Sequence, residues 1–368
     1  MQKDSQDMLD RSPSDVIKPE VRAASAYTLE HVAADVKLDQ NENPYELPQE
    51  FKEEVARRIV ARPWGRYPEF VPEAMTQALA NHTGWTADGI LVGNGSNELL
   101  QAALLVTLGQ GRTVAIPQPT FTLYKLQSTI LQANIVTVPL RPADLGYDVD
   151  ALGKAAETAD VTVICSPNNP TGTMLPDGAL QHILEKAKGI VLLDEAYHEF
   201  SGQTAFGLLA QNPNLVITRT FSKALSMAGM RFGYMLAHPE IAREIHKAKL
   251  PYNVNIFTLA AAQLAIERGD LMANAIQSLI SERQRLIGEL RKRMGVRTFD
   301  SAANFILIRT AKIGRDLFNE LYAQGVLVRD VSNYPMLERV LRVTVGTPEQ
   351  NNKFLAALDN ALPKEVKR

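Results

Sequence analysis

A single cysteine, Cys165, stands among 368 residues, so no internal disulfide can staple this fold. Its neighbours Val161, Thr162, Val163 and Ile164 are mostly apolar, which reads as a strand with a small buried thiol. Long hydrophobic runs are missing too: stretches such as Leu99 to Leu108 fall well short of a membrane span, and residues 1–15 are polar with no apolar leader core. Without disulfides or an anchor, the expectation is a soluble protein of the reducing cytoplasm that engages no membrane. An excess of one charge is also lacking. Forty-one Asp and Glu against 39 Lys and Arg leave −2, which removes the basic field that nucleic acid requires. The six histidines (His31, His82, His182, His198, His238 and His246) show no ligand spacing, so a metal site is not expected.

What is present is a globular composition, 45% hydrophobic and 22% charged, in a chain long enough for about two domains. Pro13, Pro19 and the turn-rich Asn41-Glu42-Asn43-Pro44 make residues 1–45 an extended arm. Short apolar runs then alternate with helical stretches: 89–92, 113–116, 135–138, 161–165, 190–193 and 214–218. That rhythm predicts an α/β fold with a sheet covered on both faces. The stretch 256–293 reads as one long connecting helix, and strands at 304–308, 325–328 and 340–345 predict a smaller α/β domain. The expected division is an arm (1–45) joining the small domain, a large domain (46–265) and a small C-terminal domain (266–368).

Several segments carry chemistry. Ile190 to Leu193 followed by Asp194 places an acid at the carboxyl edge of a buried strand, where open α/β sheets build ligand sites. A Walker B strand has the same pattern, but it needs a phosphate loop. The one Gly-Lys pair, Gly153-Lys154, precedes Ala155 and has Asp148 where the first glycine belongs. Ser166-Pro167-Asn168-Asn169-Pro170-Thr171-Gly172 follows another strand as a tight loop, and Asn169 offers an amide to a ligand oxygen. Gly93-Asn94-Gly95-Ser96-Asn97-Glu98 joins a strand to a helix start suited to a phosphate, although Glu98 breaks a dinucleotide fingerprint. Ser222-Lys223 leaves the strand at 216–218 ahead of Gly229-Met230-Arg231. A lysine in such company can serve as a nucleophile rather than a surface charge.

These segments, with Pro119-Thr120-Phe121, Asp194-Glu195-Ala196-Tyr197, Arg219-Thr220-Phe221-Ser222-Lys223 and Leu341-Arg342-Val343-Thr344-Val345-Gly346-Thr347, occur in the order seen in fold-type-I pyridoxal-phosphate aminotransferases, which the chain resembles over nearly its whole length. Within that superfamily Asn41-Glu42-Asn43-Pro44, Pro251-Tyr252-Asn253-Val254-Asn255 and Gly325 to Asp330 look most like histidinol-phosphate aminotransferase, an enzyme of histidine biosynthesis. Aromatic amino-acid aminotransferases, a phosphoamino-acid decarboxylase and a non-catalytic sensor on the same fold are the alternatives.

The resemblance implies pyridoxal 5′-phosphate as cofactor, with Lys223 bonded to its aldehyde and later shuttling a proton between substrate Cα and cofactor C4′. Asp194 is implied at the ring nitrogen, Asn169 and Tyr197 at the phenolic oxygen, and Phe121 on the ring face. Arg231, Ser222, Thr220 and the backbone of Gly95, Ser96 and Asn97 are implied at the phosphate; relatives usually carry an acid where Asn97 stands. Tyr67 is implied to reach that phosphate from a second subunit, making the enzyme a homodimer. Arg342 and Arg329 are implied to grip the anionic groups of the small-molecule amino donor and keto acid, with Asn43 and Tyr27 also at the substrate. Tyr27 follows Ala26 where the family commonly has proline, and Glu195 is expected to be structural.

Overall fold

The computed structural model describes residues 12–26 and 33–362. The first strand, β1 (Val36–Leu38), belongs to the arm. Seven strands form the large sheet: β2 (Ile90–Gly93), β3 (Thr113–Gln118), β4 (Asn134–Pro139), β5 (Val161–Cys165), β6 (Ile190–Asp194), β7 (Leu215–Thr220) and β8 (Gly233–Leu236), in spatial order 2-8-7-6-5-3-4. β8 pairs antiparallel with both β2 and β7, and every other pairing is parallel. The sheet is therefore mostly parallel, within the α/β fold that the strand-helix rhythm predicted. Strands β5 and β7 are buried along their whole length, because helices cover both faces and leave no solvated side for alternation.

The second sheet adds β9 (Arg297–Thr298), β10 (Phe305–Arg309), β11 (Val326–Asp330) and β12 (Val340–Thr344) to the arm strand, in order β1-β11-β12-β10-β9. β1 pairs in parallel with β11, so the arm is sewn into this second sheet by a ladder. A core cluster around Phe305, Val328 and Val343 also takes in Tyr197 and Ala224, which follow β6 and β7 of the large sheet. The two sheets are thus joined by apolar packing beside the residues picked out above.

Two expectations need correction. The long connecting helix is two, Ile256–Glu267 and Ala273–Arg291, interrupted around Gly269 and Asp270. The first is buried on most sides, including Leu259, Ala260, Ala261, Ala262 and Leu264, so a single charged face does not describe it. In the arm, Pro13 and Pro19 do not exclude helix. Each opens a short one, Pro13–Val16 and Pro19–Ala23, at the first position, where proline's missing N–H costs nothing. Among the described residues no helix is long and apolar enough to cross a membrane, and no group of metal-ligating side chains comes together.

Candidate active site

The carboxyl ends of β2, β3, β5, β6 and β7 share one edge, and a cavity of about 250 Å³ opens there. Register does much of the positioning: Asp194, the last residue of β6, lies opposite Cys165 of β5 and Thr218 of β7. Its carboxylate is buried and accepts from three neutral donors: the Tyr124 hydroxyl at 2.6 Å, Ala196 N–H at 3.2 Å and the Thr218 hydroxyl at 3.3 Å. Burial raises its pKa against the pull of those donors. A carboxylate so placed favours a cationic ligand group.

Lys223 follows β7 through Phe221-Ser222 and lines the same cavity, its Nζ donating to the Gln40 carbonyl at 2.9 Å. Burial, and then the Arg342 guanidinium, lower its pKa to about 8. A much larger share of this amine is neutral near physiological pH than of a solvated lysine, which is what a nucleophile and proton carrier requires. This yields a prediction independent of turnover. In the cofactor-free protein, acetylation of Lys223 followed by mass spectrometry across pH should titrate near 8, and a midpoint at the ordinary 10.5 would show a solvated amine.

An anion cradle lies beside it. The helix Ser96–Thr107 begins at the cavity with Gly95 as its cap at φ +84°, and Ser96 and Asn97 line the wall. A Cβ on Gly95 would come within 2.4 Å of Arg231 Nη2, so the absence of a side chain lets the guanidinium close over the helix start. Arg231 Nη1 donates to the Ser222 hydroxyl at 3.0 Å, and Thr220 donates to the same oxygen at 3.0 Å. Glu98, which breaks the dinucleotide pattern, accepts from Asn94 N–H and from Asn253 at 2.9 Å; it braces the loop against the 251–255 segment.

Two polar side chains face the cavity near Lys223. Asn169 Oδ1 accepts from Arg342 Nη1 at 2.7 Å; a guanidinium only donates, so the Asn169 Nδ2 donor is turned away from it. Tyr197 is buried edge-on against Phe305 at 5.2 Å, with its hydroxyl accepting from Asn41 at 3.0 Å. Phe121 lines the wall and meets Tyr124 edge-on at 5.5 Å. Arg329 and Arg342 also line the cavity and are register partners across β11 and β12. Arg342 is buried, with Nη2 on the Asp39 carbonyl at 2.6 Å, which sets aside a surface salt bridge as its role.

Not every expected residue converges. Asn43 is turned to the backbone, donating to Ala224 O at 2.9 Å and accepting from Tyr45 N–H at 3.0 Å, and it does not line the cavity. Its amide pins the arm beside Lys223. Tyr67 lies on the surface, 81% exposed, stacked on Tyr252 at 4.6 Å. Tyr27 lies outside the described residues. Glu195 takes the expected structural part, in a buried pair with Arg219 at 2.9 Å. Three residues with no site role expected from the sequence join them: Tyr124, Gln40 and Asn41 touch Asp194, Lys223 and Tyr197 respectively.

These residues fit pyridoxal phosphate: a cradle of glycine, hydroxyls and arginine for the phosphate, a buried acid for a ring nitrogen, and a depressed lysine for the aldehyde. The family model for aminotransferase class I and II matches residues 33–358. A histidinol-phosphate aminotransferase from Chlorobium phaeovibrioides is 40% identical over 346 residues, 93% of this chain and 96% of that protein. The crystal structure of the histidinol-phosphate aminotransferase from Clostridium acetobutylicum superposes with a TM-score of 0.82 at 26% identity, covering 88% of this chain and 98% of the other. That of the Sinorhizobium meliloti enzyme, in complex with pyridoxal-5′-phosphate, gives 0.80 at 23% identity over 89% and 91%, a likeness of fold.

Proposed function

The chain belongs to the class I and II aminotransferases, and from that premise we propose that it moves an amino group between L-histidinol phosphate, with its keto form imidazole acetol phosphate, and the glutamate/2-oxoglutarate pair. The observation that carries this reading is the pair Arg329 and Arg342, set opposite one another on adjacent strands at the cavity. Like charges directly across an antiparallel pair are destabilising, and anions between them turn that repulsion into attraction. One pair of cations can hold the phosphate of one substrate and the carboxylates of the other.

Pyridoxal phosphate, when bound, supplies an aldehyde that captures amines and a ring that takes up the electrons left at the substrate Cα. The chain supplies the rest. Arg231, Ser222, Thr220 and the helix start at Gly95, Ser96 and Asn97 would hold the phosphate, and Phe121 would pack on the ring. Asp194 would keep a charge beside the ring nitrogen, while Asn169 and Tyr197 would direct donors at the phenolic oxygen. Lys223 Nζ takes the proton from the substrate Cα. The test is a donor panel. Turnover of histidinol phosphate well above that of phenylalanine, tyrosine or threonine phosphate supports the reading, and turnover of the aromatic acids without histidinol phosphate overturns it.

The assembly proposed with this activity is a homodimer with shared sites. Trp64, Tyr67, Phe70, Leu250, Tyr252 and Phe257 are exposed, and ring contacts link Trp64 to Phe257 and Tyr252 to both Tyr67 and Phe70. An exposed aromatic cluster of this kind marks a protein interface. If Tyr67 reaches the other subunit's cradle, mixing Lys223→Ala with Tyr67→Ala protein under subunit exchange should regenerate one intact site per mixed dimer. Activity then rises above that of either parent, and a mixture no better than its parents excludes sharing.

A further inference from the structure

Asn41 adopts a left-handed backbone at φ 56°, a conformation that asparagine tolerates better than other side-chain-bearing residues, and it is buried. Four hydrogen bonds hold it between the domains. Its backbone N–H donates to the Thr344 hydroxyl at 3.0 Å, and its carbonyl accepts from Asn304 at 3.0 Å. The Thr344 hydroxyl, having accepted that N–H, donates its own proton to Asn41 Oδ1 at 3.2 Å. The amide nitrogen is thereby turned outward and donates to the Tyr197 hydroxyl at 3.0 Å.

Direction is the consequence. A phenol oxygen that already accepts from an amide keeps its single proton for another partner. We propose that Asn41 is a positioning residue that fixes the donor direction of Tyr197, so that the Tyr197 proton points into the cavity at the phenolic oxygen of the bound cofactor. This deepens the reading above and rests on it. Asn169 is oriented in the same sense by Arg342, so two donors converge on one acceptor, each turned by a neighbour that contributes no donor there itself.

The experiment compares full-length holoprotein carrying Asn41→Asp or Asn41→Gly with the unaltered chain, reading the pH midpoint of the cofactor's visible absorption without substrate. Both replacements accept the left-handed backbone. Aspartate has nearly the same size but accepts where asparagine donates, so it draws the Tyr197 proton to itself. Glycine removes the amide and leaves that proton available. A donor on the phenolic oxygen stabilises its negative charge and weakens proton binding at the adjoining nitrogen, so losing it raises the midpoint. Asn41→Asp is expected to raise it by about one pH unit, the size of one hydrogen bond to a charged oxygen, and Asn41→Gly by much less. In a Tyr197→Phe background the aspartate effect should shrink to the part that the added charge alone produces. A packing role predicts the reverse order, with glycine worse than aspartate, and an aspartate effect of undiminished size in Tyr197→Phe; either result overturns the proposal, as does an unchanged midpoint in Asn41→Asp. Should that variant fail to fold, Thr344→Val, which releases the amide to turn over, is expected to raise the midpoint, and no shift there overturns the proposal. Absence of any visible band in the unaltered, cofactor-loaded chain would instead count against the cofactor reading itself.

Discussion

Replacing Lys223 with alanine is expected to lower transamination by about 10⁴-fold or more while leaving a folded protein, since general-base catalysis alone contributes 10²–10⁴ and covalent capture is lost with it. The fold should survive because little depends on this side chain. Its Nζ makes one hydrogen bond, to the Gln40 carbonyl, and burial already disfavours its charge. The phosphate cradle is built from other residues, Arg231, Ser222 and the helix start at Gly95, so the variant should still bind pyridoxal phosphate without a covalent bond. Three measurements separate the possibilities. Thermal melting should match the parent, borohydride reduction should no longer fix the cofactor to the chain, and added methylamine should restore part of the rate, increasingly as pH exposes its free base. A variant that keeps more than about a hundredth of the parent rate would place the base elsewhere.

Much of this site was legible because its chemistry sits where local pattern already marks a strand end. Asp194 terminates an apolar run, Asn169 occupies a proline-bracketed loop after another, and Gly95 precedes a helix whose start needs an open backbone. The unread parts depend on partners far along the chain. β8 (Gly233–Leu236) is Gly-Tyr-Met-Leu, without β-branched residues, and is a strand because β2 and β7 flank it on both sides. Tyr124 sits in the first turn of the helix Thr122–Ile130, where periodicity marks it as an apolar-face residue, but its hydroxyl ends on Asp194, 70 positions away. Asn41 lay in a recognised motif, yet its bonds run to Tyr197, Asn304 and Thr344, and no spacing rule connects those numbers. Arg329 and Arg342 were each suspected singly; their opposition follows only from strand register. Local signals located side chains that line one cavity, and long-range pairing determined which way they point.

Direction also decides the outcome at Asp194. Asp194→Asn preserves shape and can preserve the number of hydrogen bonds. Its oxygen keeps Ala196 N–H and the Thr218 hydroxyl, while its new amide donates to Tyr124, whose hydroxyl can accept as readily as donate. What changes, under the proposed role of Asp194, is the group shown to the cofactor ring nitrogen, which becomes a neutral donor that favours the unprotonated ring. The charge needed to draw electrons from the substrate Cα is lost, and the rate should fall by about 10²–10³-fold, as for removal of one preorganised electrostatic partner. Stability should move the other way. Burial raises the folded-state pKa of Asp194, so in the cofactor-free protein this carboxyl favours folding when protonated and that advantage is lost as pH rises through its folded pKa. The asparagine has no such loss. Above the folded pKa of this carboxyl the cofactor-free variant should melt no lower than its parent, and below it, where the parent's carboxyl holds its proton, any advantage of the variant should shrink. Cofactor binding should reverse the ranking, because the charged ring is the partner that the ionised carboxylate lacks. An asparagine variant that retained more than about a tenth of the parent rate would break the link between this acid and the ring nitrogen, whatever its melting temperature.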